Sequence, residues 1–421
     1  MKALKFNVSR AETALALFSV AFLVRLWHWM KVPVAFPLVG DAAEYAAFAQ
    51  SLVETGRYLG PHGEAATRMP GYPLFLAGVR LLTGGSFDAM LAVQCALGAL
   101  TCVLLVDLAR RFVPEGWAWI CGLTAAFYAD LIVSASAPLS ECLYSFFLVL
   151  SVWALYRPEW KPWRRAVAFG ALSGCLYLIR PEPLPYIITA TALFPVVFPK
   201  FGRREIAASL AALALVTGLW VGRNAVIFNR FMPASSVGKG VGYLSLYLPA
   251  AKMGLAGERY APPETMTELE RDADYAAAYK KLAATLTRAQ IAKAYLYNLI
   301  SILYPFLPEY DWTYAFIVPY WLLGCALAAR RKDLWPIAGA VLCSLTVFTF
   351  FGGYASRYRQ GVSPFIVLLA IVGMKAAYDA AGDRRFRFWT ASWFGANVLA
   401  LIFQGQARQL ALWLRAVSWG H

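Results

Sequence analysis

The sequence predicts an all-α polytopic membrane protein with about eleven transmembrane helices and with interfacial helices in its first outer loop. Three observations lead to this fold class. The composition is 60% hydrophobic and only 15% charged, whereas soluble domains are about 25% charged. The apolar residues come in runs of roughly 16 to 24, a length that crosses a hydrocarbon core of about 30 Å. Short clusters of Lys and Arg separate these runs.

The apolar runs define the expected spans in chain order. They cover residues 11–30, 89–109, 115–134, 139–156, 164–180, 182–198, 205–225, 314–329, 334–353, 361–377 and 388–404. The first run follows Lys2, Lys5 and Arg10 as in a signal peptide, but no small-residue cleavage site follows it, so we expect a retained first span. The two runs around Pro181 could also form one broken helix with a re-entrant partner.

Positive charge assigns each connection to one side of the membrane, because short cytoplasmic loops carry the excess of Lys and Arg. The basic set comprises the N-terminus and the connections at 110–111, 157–165, 200–204, 330–332 and 375–387. We predict a multi-pass protein of a bacterial inner (cell) membrane with a cytoplasmic N-terminus. The other connections and the C-terminus then face the periplasm. The net charge of +15 is explained by topology and lipid phosphate, so no nucleic-acid partner is expected.

Two long segments face outwards in this topology, and they divide the chain into three parts. The expected parts are a transmembrane module over 1–225 that includes the first outer loop (31–88), an outer loop over 226–313, and C-terminal helices over 314–421. In the first loop, residues 41–56 have helical spacing and 74–82 form an apolar run too short to span. In the second, 264–286 is predicted to be a surface helix, and 295–306 an aromatic segment that dips into the interface.

Cysteine and histidine give no metal-ligand pattern. The seven cysteines lie in or beside apolar runs without a CxxC pair, and the three histidines are scattered. We interpret the cysteines as small apolar packing residues.

The first outer loop opens with Gly40-Asp41-Ala-Ala-Glu44-Tyr45. Asp41, Glu44 and Tyr45 are spaced i, i+3 and i+4, so they share one helix face. The same spacing is typical of a capping box, with Asp41 as N-cap and Glu44 at N3. From the residues alone, a capping role and a catalytic role both stay open.

Two further outward motifs carry charge. Arg68 begins Arg68-Met-Pro-Gly-Tyr72-Pro, and Glu141 follows Pro-Leu-Ser at the outer start of a span. Arg68 could be an interfacial residue that extends its charge to the surface. Glu141 could be an acid favoured by the dipole of a helix N-terminus.

Four arginines lie at outward ends of spans, where topology needs no positive charge: Arg180, Arg223, Arg357 and Arg359. A guanidinium presents a planar fork of donors that fits phosphate oxygens. Such a group of arginines beside a few carboxylates could hold an anionic ligand near the interface. Internal ion pairs, such as Arg180 with Glu182, are the alternative.

These motifs, taken in order, resemble the GT-C membrane glycosyltransferases, in particular the branch of protein O-mannosyltransferases and the lipid A aminoarabinose transferase. The resemblance covers almost the whole chain. It comprises the first span, Gly-Asp41-Ala-Ala-Glu-Tyr45, Arg68-Met-Pro-Gly-Tyr72-Pro, Leu-Ser-Glu141-Cys-Leu-Tyr, Leu-Ile-Arg180-Pro-Glu, Trp-Val-Gly-Arg223-Asn and Ser-Arg357-Tyr358-Arg359. Each motif alone is weak evidence for this family, but their order and their shared outward placement are stronger evidence.

The resemblance implies a GT-C fold and transfer of a sugar from a polyprenyl-phosphate donor to an acceptor hydroxyl, usually with inversion. By position, Asp41 matches the acid of the family's first loop, which is the presumed base or acceptor-orienting group, and Tyr45 matches a nearby aromatic of that site. Arg68 falls where the aminoarabinose branch has a basic residue at the lipid phosphate. Here Thr67-Arg68 replaces that branch's acid–base pair, so a second acid could be Glu44, Glu64 or Glu141.

The chemistry agrees with these implied roles. A sugar–phosphate bond already contains a good leaving group, so the site needs mainly a base for the acceptor hydroxyl and fixed positive charge at the phosphate. We expect the substrate-binding residues to be Glu44, Tyr45, Arg68, Tyr72, Glu141, Arg180, Arg223, Arg357, Tyr358 and Arg359, with Asp41 catalytic.

The expected partners are the donor lipid, the bilayer and an acceptor that is a glycolipid, a polysaccharide or a protein. Metal dependence stays open at this point, because a single carboxylate can work without a metal, whereas Asp41 with another acid could hold a divalent ion. A transporter or flippase of a lipid-linked or anionic substrate is the main alternative, and an assembly subunit is a third. An outward cavity that joins Asp41 to several arginines and opens to lipid favours the enzyme, whereas a path through the bundle favours transport.

Overall fold

The computed structural model describes residues 10–263, 265–305, 311–352, 357–406, 409–410 and 413. Every regular element in these ranges is helical. Several residues used in the sequence predictions lie outside them: Lys2, Lys5, Phe306, Ser356, the last residue of the predicted span 334–353, and the C-terminal residues 414–421.

Nineteen α-helices and one short 3-10 turn follow one another in the described ranges. They are α1 (Arg10–Lys31), α2 (Asp41–Thr55), α3 (Gly71–Thr83), α4 (Phe87–Ala109), α5 (Glu115–Phe127), α6 (Ala129–Ser136), α7 (Glu141–Leu155), α8 (Pro162–Ile179), α9 (Leu184–Ala192), α10 (Phe194–Val197), α11 (Arg203–Phe228), α12 (Gly238–Lys252), α13 (Glu268–Thr285), α14 (Arg288–Leu303), α15 (Trp312–Ala328), the turn Lys332–Leu334, α16 (Trp335–Phe351), α17 (Arg357–Gln360), α18 (Ser363–Ala381) and α19 (Asp383–Ile402).

Each of the eleven predicted spans coincides with a helix or with two consecutive helices. Within the described ranges, five helices are long and apolar enough to cross a membrane: α1, α4, α11, α16 with its preceding turn, and α18. The count rises to six if α5 and α6, which meet at a 49° bend, form one span. The chain is therefore a multi-pass membrane protein, and the number eleven stays a prediction.

The bend between α5 and α6 is stabilised from another helix. A helix end leaves backbone carbonyl groups without intrahelical donors. Arg25 of α1 is fully buried and donates to the carbonyl oxygens of Ala125 and Ala126, each at 3.4 Å. The break also creates a new helix start, which places Asp130 in the first turn of α6.

The Arg180-Pro-Glu-Pro segment separates two helices. A residue before proline is disfavoured in the α region, and Arg180 adopts an extended conformation with φ −152°. Helix α8 therefore ends at Ile179 and α9 begins at Leu184. The predicted run 182–198 is itself divided into the short helices α9 and α10.

The two long segments that were predicted to be outer loops, 31–88 and 226–313, pack against each other. The backbone N–H of Ser236 donates to the carbonyl of Ala66 at 2.8 Å, and the backbone N–H of Ala65 donates to Glu268 at 2.8 Å. Helix α13 buries no residue, as expected of a surface helix. Helix α12 was not predicted. The division of the chain at residues 225 and 313 stays a prediction.

The basic connections gather elsewhere in the molecule. The ring of Tyr156 lies 5.3 Å from the rings of both Phe112 and Phe198, measured between centroids. The guanidinium of Arg331 lies 6.0 Å from the ring centroid of Phe112. Four connections of the predicted cytoplasmic set therefore meet in one cluster.

Helices α15 and α18 approach each other more closely than any side chain would permit at two positions. A Cβ atom on Gly373 would lie 2.0 Å from the carbonyl oxygen of Tyr320, and one on Gly324 would lie 2.1 Å from that of Leu369. Small residues permit such close contact between membrane helices. Because α17 directly precedes α18, this contact helps to fix the position of α17.

We predict that Gly373→Ala destabilises the protein by about 1–3 kcal/mol, the usual cost of overpacking. Gly218→Ala in α11 is a matched control, because a Cβ there meets no atom within 4 Å. The check is the thermal unfolding midpoint in detergent. Equal midpoints for the two variants would contradict the packing described for α15 and α18.

Candidate active site

Acidic residues lie in the first turns of two helices, α2 and α7. Asp41 and Glu44 lie in the first turn of α2, and Glu141 is the first residue of α7. Free N–H groups and the helix dipole favour negative charge at these positions.

A close backbone contact brings the basic residues to the same place. A Cβ on Gly71 would lie 2.7 Å from the backbone nitrogen of Ile179, so the start of α3 touches the end of α8. The connection that carries Arg68 therefore runs beside Arg180, which follows α8 directly.

Arg68 binds both acids in the first turn of α2. Its Nη2 donates to Oδ1 of Asp41 at 2.7 Å and to Oε1 of Glu44 at 3.0 Å, and its Nε donates to Oε2 of Glu44 at 2.8 Å. The pair with Glu44 uses the two-pronged geometry that strengthens arginine–carboxylate contacts. The guanidinium also lies 5.5 Å from the ring centroid of Tyr45.

Arg357 and Arg180 extend these contacts to Glu141. Nη2 of Arg357 donates to Oδ2 of Asp41 at 2.9 Å, and its Nε donates to Oε1 of Glu141 at 2.5 Å. Nη1 of Arg180 donates to the same oxygen of Glu141 at 3.0 Å, and its Nε bonds to Glu182 at 2.6 Å.

Together these contacts form a single series of alternating charges, which we call the acid–arginine chain. Its members, in order of contact, are Glu44, Arg68, Asp41, Arg357, Glu141, Arg180 and Glu182. Each interior member touches two groups of opposite charge, which offsets the high cost of desolvating an unpaired ion. Four carboxylates and three guanidiniums give the chain a formal charge of −1.

Exposure differs along the acid–arginine chain. The side chain of Glu141 is 1% exposed, whereas that of Asp41 is 31% exposed. Both bonds to Glu141 use Oε1, and its buried Oε2 has no hydrogen-bond partner in the part of the chain that the structure describes. Asp41, in contrast, has one oxygen on each of two arginines.

The acid–arginine chain borders a cavity of about 1060 Å³, a volume at the upper end of those that hold small-molecule ligands. Its charged wall consists of Asp41, Glu44, Arg68, Arg180, Glu182 and Arg357. Its apolar wall consists of Leu184, Val241, Leu244, Val347, Phe348 and Phe351. Its polar wall, largely from the second outer segment, consists of His62, Glu64, Ser235, Ser236, Glu268, Arg271, Asp272 and Tyr275.

The three tyrosines predicted for the site have different positions. Tyr45 and Tyr358 line the cavity. Tyr72 is fully buried behind Tyr45, with ring centroids 4.9 Å apart, and its hydroxyl donates to Gln94. Tyr358 stacks on Phe348 at 4.6 Å.

Arg223 lies outside the cavity lining. It donates to the carbonyl oxygens of Tyr58 and Ala65 at 3.1 and 2.8 Å, so it braces the connection that carries Arg68.

Arg359 also lies away from the cavity, and its side chain is 2% exposed. It bonds to Asp130 at 2.9 Å and to Asp311 at 2.8 Å, and it stacks over the ring of Tyr314. These contacts anchor α17, whose first residue is Arg357.

The capping hypothesis for Asp41 was wrong. Helix α2 begins at Asp41 itself, its N-cap is Gly40, and no side chain caps it. Gly40 has φ +57°, a conformation that glycine adopts without strain. The carboxylates of Asp41 and Glu44 bind arginines instead.

The three candidates for a second acid occupy different positions. Glu44 lines the cavity and is bound by Arg68. Glu141 lies beneath the charged wall and holds Arg180 and Arg357. Glu64 belongs to the polar wall, where it pairs with Arg271 at 3.2 Å.

No group of three or more His, Cys, Asp or Glu side chains converges among the described residues in a way that would hold a metal ion. Asp41 and Glu44 of the charged wall already bind guanidiniums. A divalent cation prefers free carboxylate and carbonyl oxygens, so this arrangement does not fit it.

Two residues of the site were missed as site residues by sequence reasoning. Glu182 was considered only as an internal partner of Arg180, yet it lines the cavity. Glu268 accepts hydrogen bonds from Ala65, Ala66 and Ser236, and so joins the two outer segments. Glu268 lies inside the predicted surface helix 264–286, where an acid is ordinary, and the structure shows that it directly follows Thr267, the N-cap of α13.

The charge environment lowers the pKa of Asp41. Burial alone would raise it, but the guanidiniums of Arg68 and Arg357 outweigh this effect, so the pKa falls below its ordinary value of 3.8. Asp41 is therefore ionised at neutral pH and is a weak base while both arginines hold it. Burial would lower the pKa of Arg68, but Glu44 and Asp41 raise it.

The sequence matches no protein-family model and no curated protein. Among solved structures, the fold is similar to the oligosaccharyltransferase AglB from Archaeoglobus fulgidus, in complex with an inhibitory peptide and a dolichol-phosphate. The TM-score is 0.47 at 14% identity over 94% of this chain, which spans 55% of the length of AglB. It is also similar to ArnT from Cupriavidus metallidurans bound to undecaprenyl phosphate, with a TM-score of 0.43 at 14% identity, covering 89% of this chain and 80% of ArnT.

At these scores the likeness concerns the course of the chain, and it assigns no role to any residue.

The lowered pKa of Asp41 generates a prediction about stability. A carboxyl whose pKa is lower in the folded than in the unfolded protein stabilises the fold above its unfolded pKa, and this contribution disappears as pH falls through the folded pKa. We expect wild type to unfold at a higher temperature than Asp41→Asn from pH 5 to 7, and the difference to shrink below about pH 4. A difference that is the same at pH 3 and pH 7 would show that the arginines do not lower this pKa.

Proposed function

We propose that this protein is a membrane glycosyltransferase that moves a sugar from a polyprenyl-phosphate donor to an acceptor hydroxyl. The observation that carries the proposal is the cavity in which Asp41 lies between Arg68 and Arg357. One carboxylate and several fixed guanidiniums are the groups that such a transfer needs.

In the proposed reaction, Asp41 takes the proton of the acceptor hydroxyl as its oxygen attacks the anomeric carbon of the sugar. The bond between that carbon and the phosphate oxygen breaks, and its electron pair leaves with the polyprenyl phosphate. Arg68 and Arg357 stabilise the charge that develops on the phosphate. Attack from the side opposite the leaving phosphate inverts the anomeric configuration.

The walls of the cavity suggest where the parts of the substrates bind. The arginines of the charged wall face the phosphate, and guanidiniums bind phosphate oxygens with paired donors. The apolar wall offers six aliphatic or aromatic side chains to the prenyl chain. Arg223 and Arg359 lie outside the lining, so the proposal gives them supporting roles.

The acceptor is proposed to bind at the polar wall, which offers carboxylates, hydroxyls and Tyr275 to a hydroxylated ligand. A glycolipid, a polysaccharide end or a protein side chain each presents such a hydroxyl. The proposed reaction runs without a metal ion.

We further propose that eleven spans place this cavity on the periplasmic side of a bacterial inner membrane. Two observations support the topology. Both long segments pack together beside the cavity, and four of the basic connections form a separate cluster. Because positive loops stay in the cytoplasm, the cavity then faces outwards.

The topology predicts which introduced cysteines react with an impermeant thiol reagent. In a variant without the seven native cysteines, we expect labelling from the periplasm at His62→Cys and Arg259→Cys, which lie in the two outer segments and are exposed. Lys332→Cys, also exposed, is the matched control for the cytoplasmic side. If Lys332→Cys is labelled from the periplasm and the other two variants are not, the predicted topology is inverted.

We predict that Asp41→Asn lowers the transfer rate at least about a hundredfold, because Asn has nearly the same shape but cannot take a proton. Transfer would be measured with purified protein in nanodiscs, a polyprenyl-phosphate sugar and extracted cell-envelope glycolipids as acceptors. Lipid extracts of cells with and without the protein, compared by mass spectrometry, identify the acceptor.

The matched control is Asp88→Asn, the same change at an exposed acid in the first turn of α4. It should leave the rate within about twofold of wild type. Near-normal turnover by Asp41→Asn would exclude the catalytic role of Asp41.

A further inference from the structure

The charge of the acid–arginine chain creates a difficulty for an anionic donor. Four carboxylates face three guanidiniums, so the chain carries a formal charge of −1 before any ligand arrives. A phosphodiester adds a further negative charge to a partly buried site, where like charges repel strongly. The arginines that would bind it already hold carboxylates. A donor phosphate must therefore replace a carboxylate.

Glu141 is poorly placed to be replaced. It is 1% exposed and holds two arginines through one oxygen. Its second oxygen already lies buried without a hydrogen-bond partner in the described part of the chain. Loss of the arginines would leave a buried charge with no compensation, which is strongly unfavourable.

Glu44 is also poorly placed. Among the described residues its side chain binds Arg68 alone, and it does so with both oxygens, at 2.8 and 3.0 Å. It has no contact with Arg357, so its departure would free one arginine rather than the pair.

Asp41 has the features that Glu141 and Glu44 lack. Its two oxygens bind two different arginines, so it lies between the guanidiniums that would hold a phosphate. Its side chain is 31% exposed and lines the cavity, where water can solvate a displaced carboxylate. It is also the first residue of α2, where the helix dipole stabilises a free carboxylate.

We propose that Asp41 occupies, in the free protein, the place at Arg68 and Arg357 that the donor phosphate takes, and that donor binding releases Asp41 to act as the base. This inference rests on the proposed function. The exchange keeps the number of anions at the two arginines constant. It also couples the two substrates, because Asp41 becomes a stronger base only after the phosphate has removed its guanidinium partners.

The exchange predicts that loss of the Asp41 charge strengthens phosphate binding. We expect Asp41→Asn to bind a polyprenyl monophosphate in nanodiscs at least about fivefold more tightly than wild type, or about 1 kcal/mol at 1.4 kcal/mol per tenfold. Asp272→Asn is the matched control. It removes one negative charge from the polar wall, where Asp272 bonds to Lys239 rather than to Arg68 or Arg357. Its affinity should change less than about twofold.

The outcomes are distinct. Unchanged or weaker binding by Asp41→Asn would overturn the exchange, and equal strengthening by both variants would overturn it too, since charge removal alone would then be sufficient. If neither wild type nor the variants bind the lipid phosphate, the proposed function itself fails.

Size-exclusion profiles and unfolding midpoints verify that each variant folds. If Asp41→Asn does not fold, Asp41→Ser replaces it, with the same expected strengthening of phosphate binding.

Discussion

The acid–arginine chain is the interaction on which the rest of the site depends. It joins residues from α2, α7 and α17, from the connection before α3 and from the segment between α8 and α9. The two contacting members that lie farthest apart in the sequence are Asp41 and Arg357. Partly buried ions are tolerated only when each has a partner, so every member constrains the position of the next. Removing one arginine would leave two carboxylates to repel each other. The charges therefore fix the geometry of the cavity wall and also determine which ligands it can bind.

The helical scaffold fixes the positions where these charges occur. The starts of α2 and α7 position Asp41, Glu44 and Glu141. Arg180 is the residue before Pro181, and its extended conformation ends α8. Outside the cavity, separate polar groups hold the loops in place. Arg223 and Glu268 brace the connection of Arg68, while Arg359 with Asp130 and Asp311 anchors α17. The bend at Tyr128, capped by Arg25, is what brings Asp130 to Arg359.

Hydrophobic pattern predicted the helices well, because span length and period follow directly from bilayer thickness and helix geometry. It missed α12, whose start is rich in glycine and which contains Pro249. Local propensity argues against this helix, whereas its packing on α13 and α16 supports it. The pattern also grouped four outward arginines together. Arg180 and Arg357 line the cavity, whereas Arg223 and Arg359 have structural partners. Partner choice depends on contacts between distant segments, such as Arg359 with Asp130, and no local spacing encodes those.

In the proposed mechanism, Arg68 and Arg357 form the phosphate site of a glycosyl donor. An electron cryomicroscopy structure of the full chain, bound to a Fab fragment and to a polyprenyl phosphate, tests this site most directly. We expect phosphate density about 3 Å from both guanidiniums, with the Asp41 carboxylate turned away from Arg357. Lipid phosphate bound elsewhere, with the Asp41–Arg357 bond intact, would contradict the proposed site.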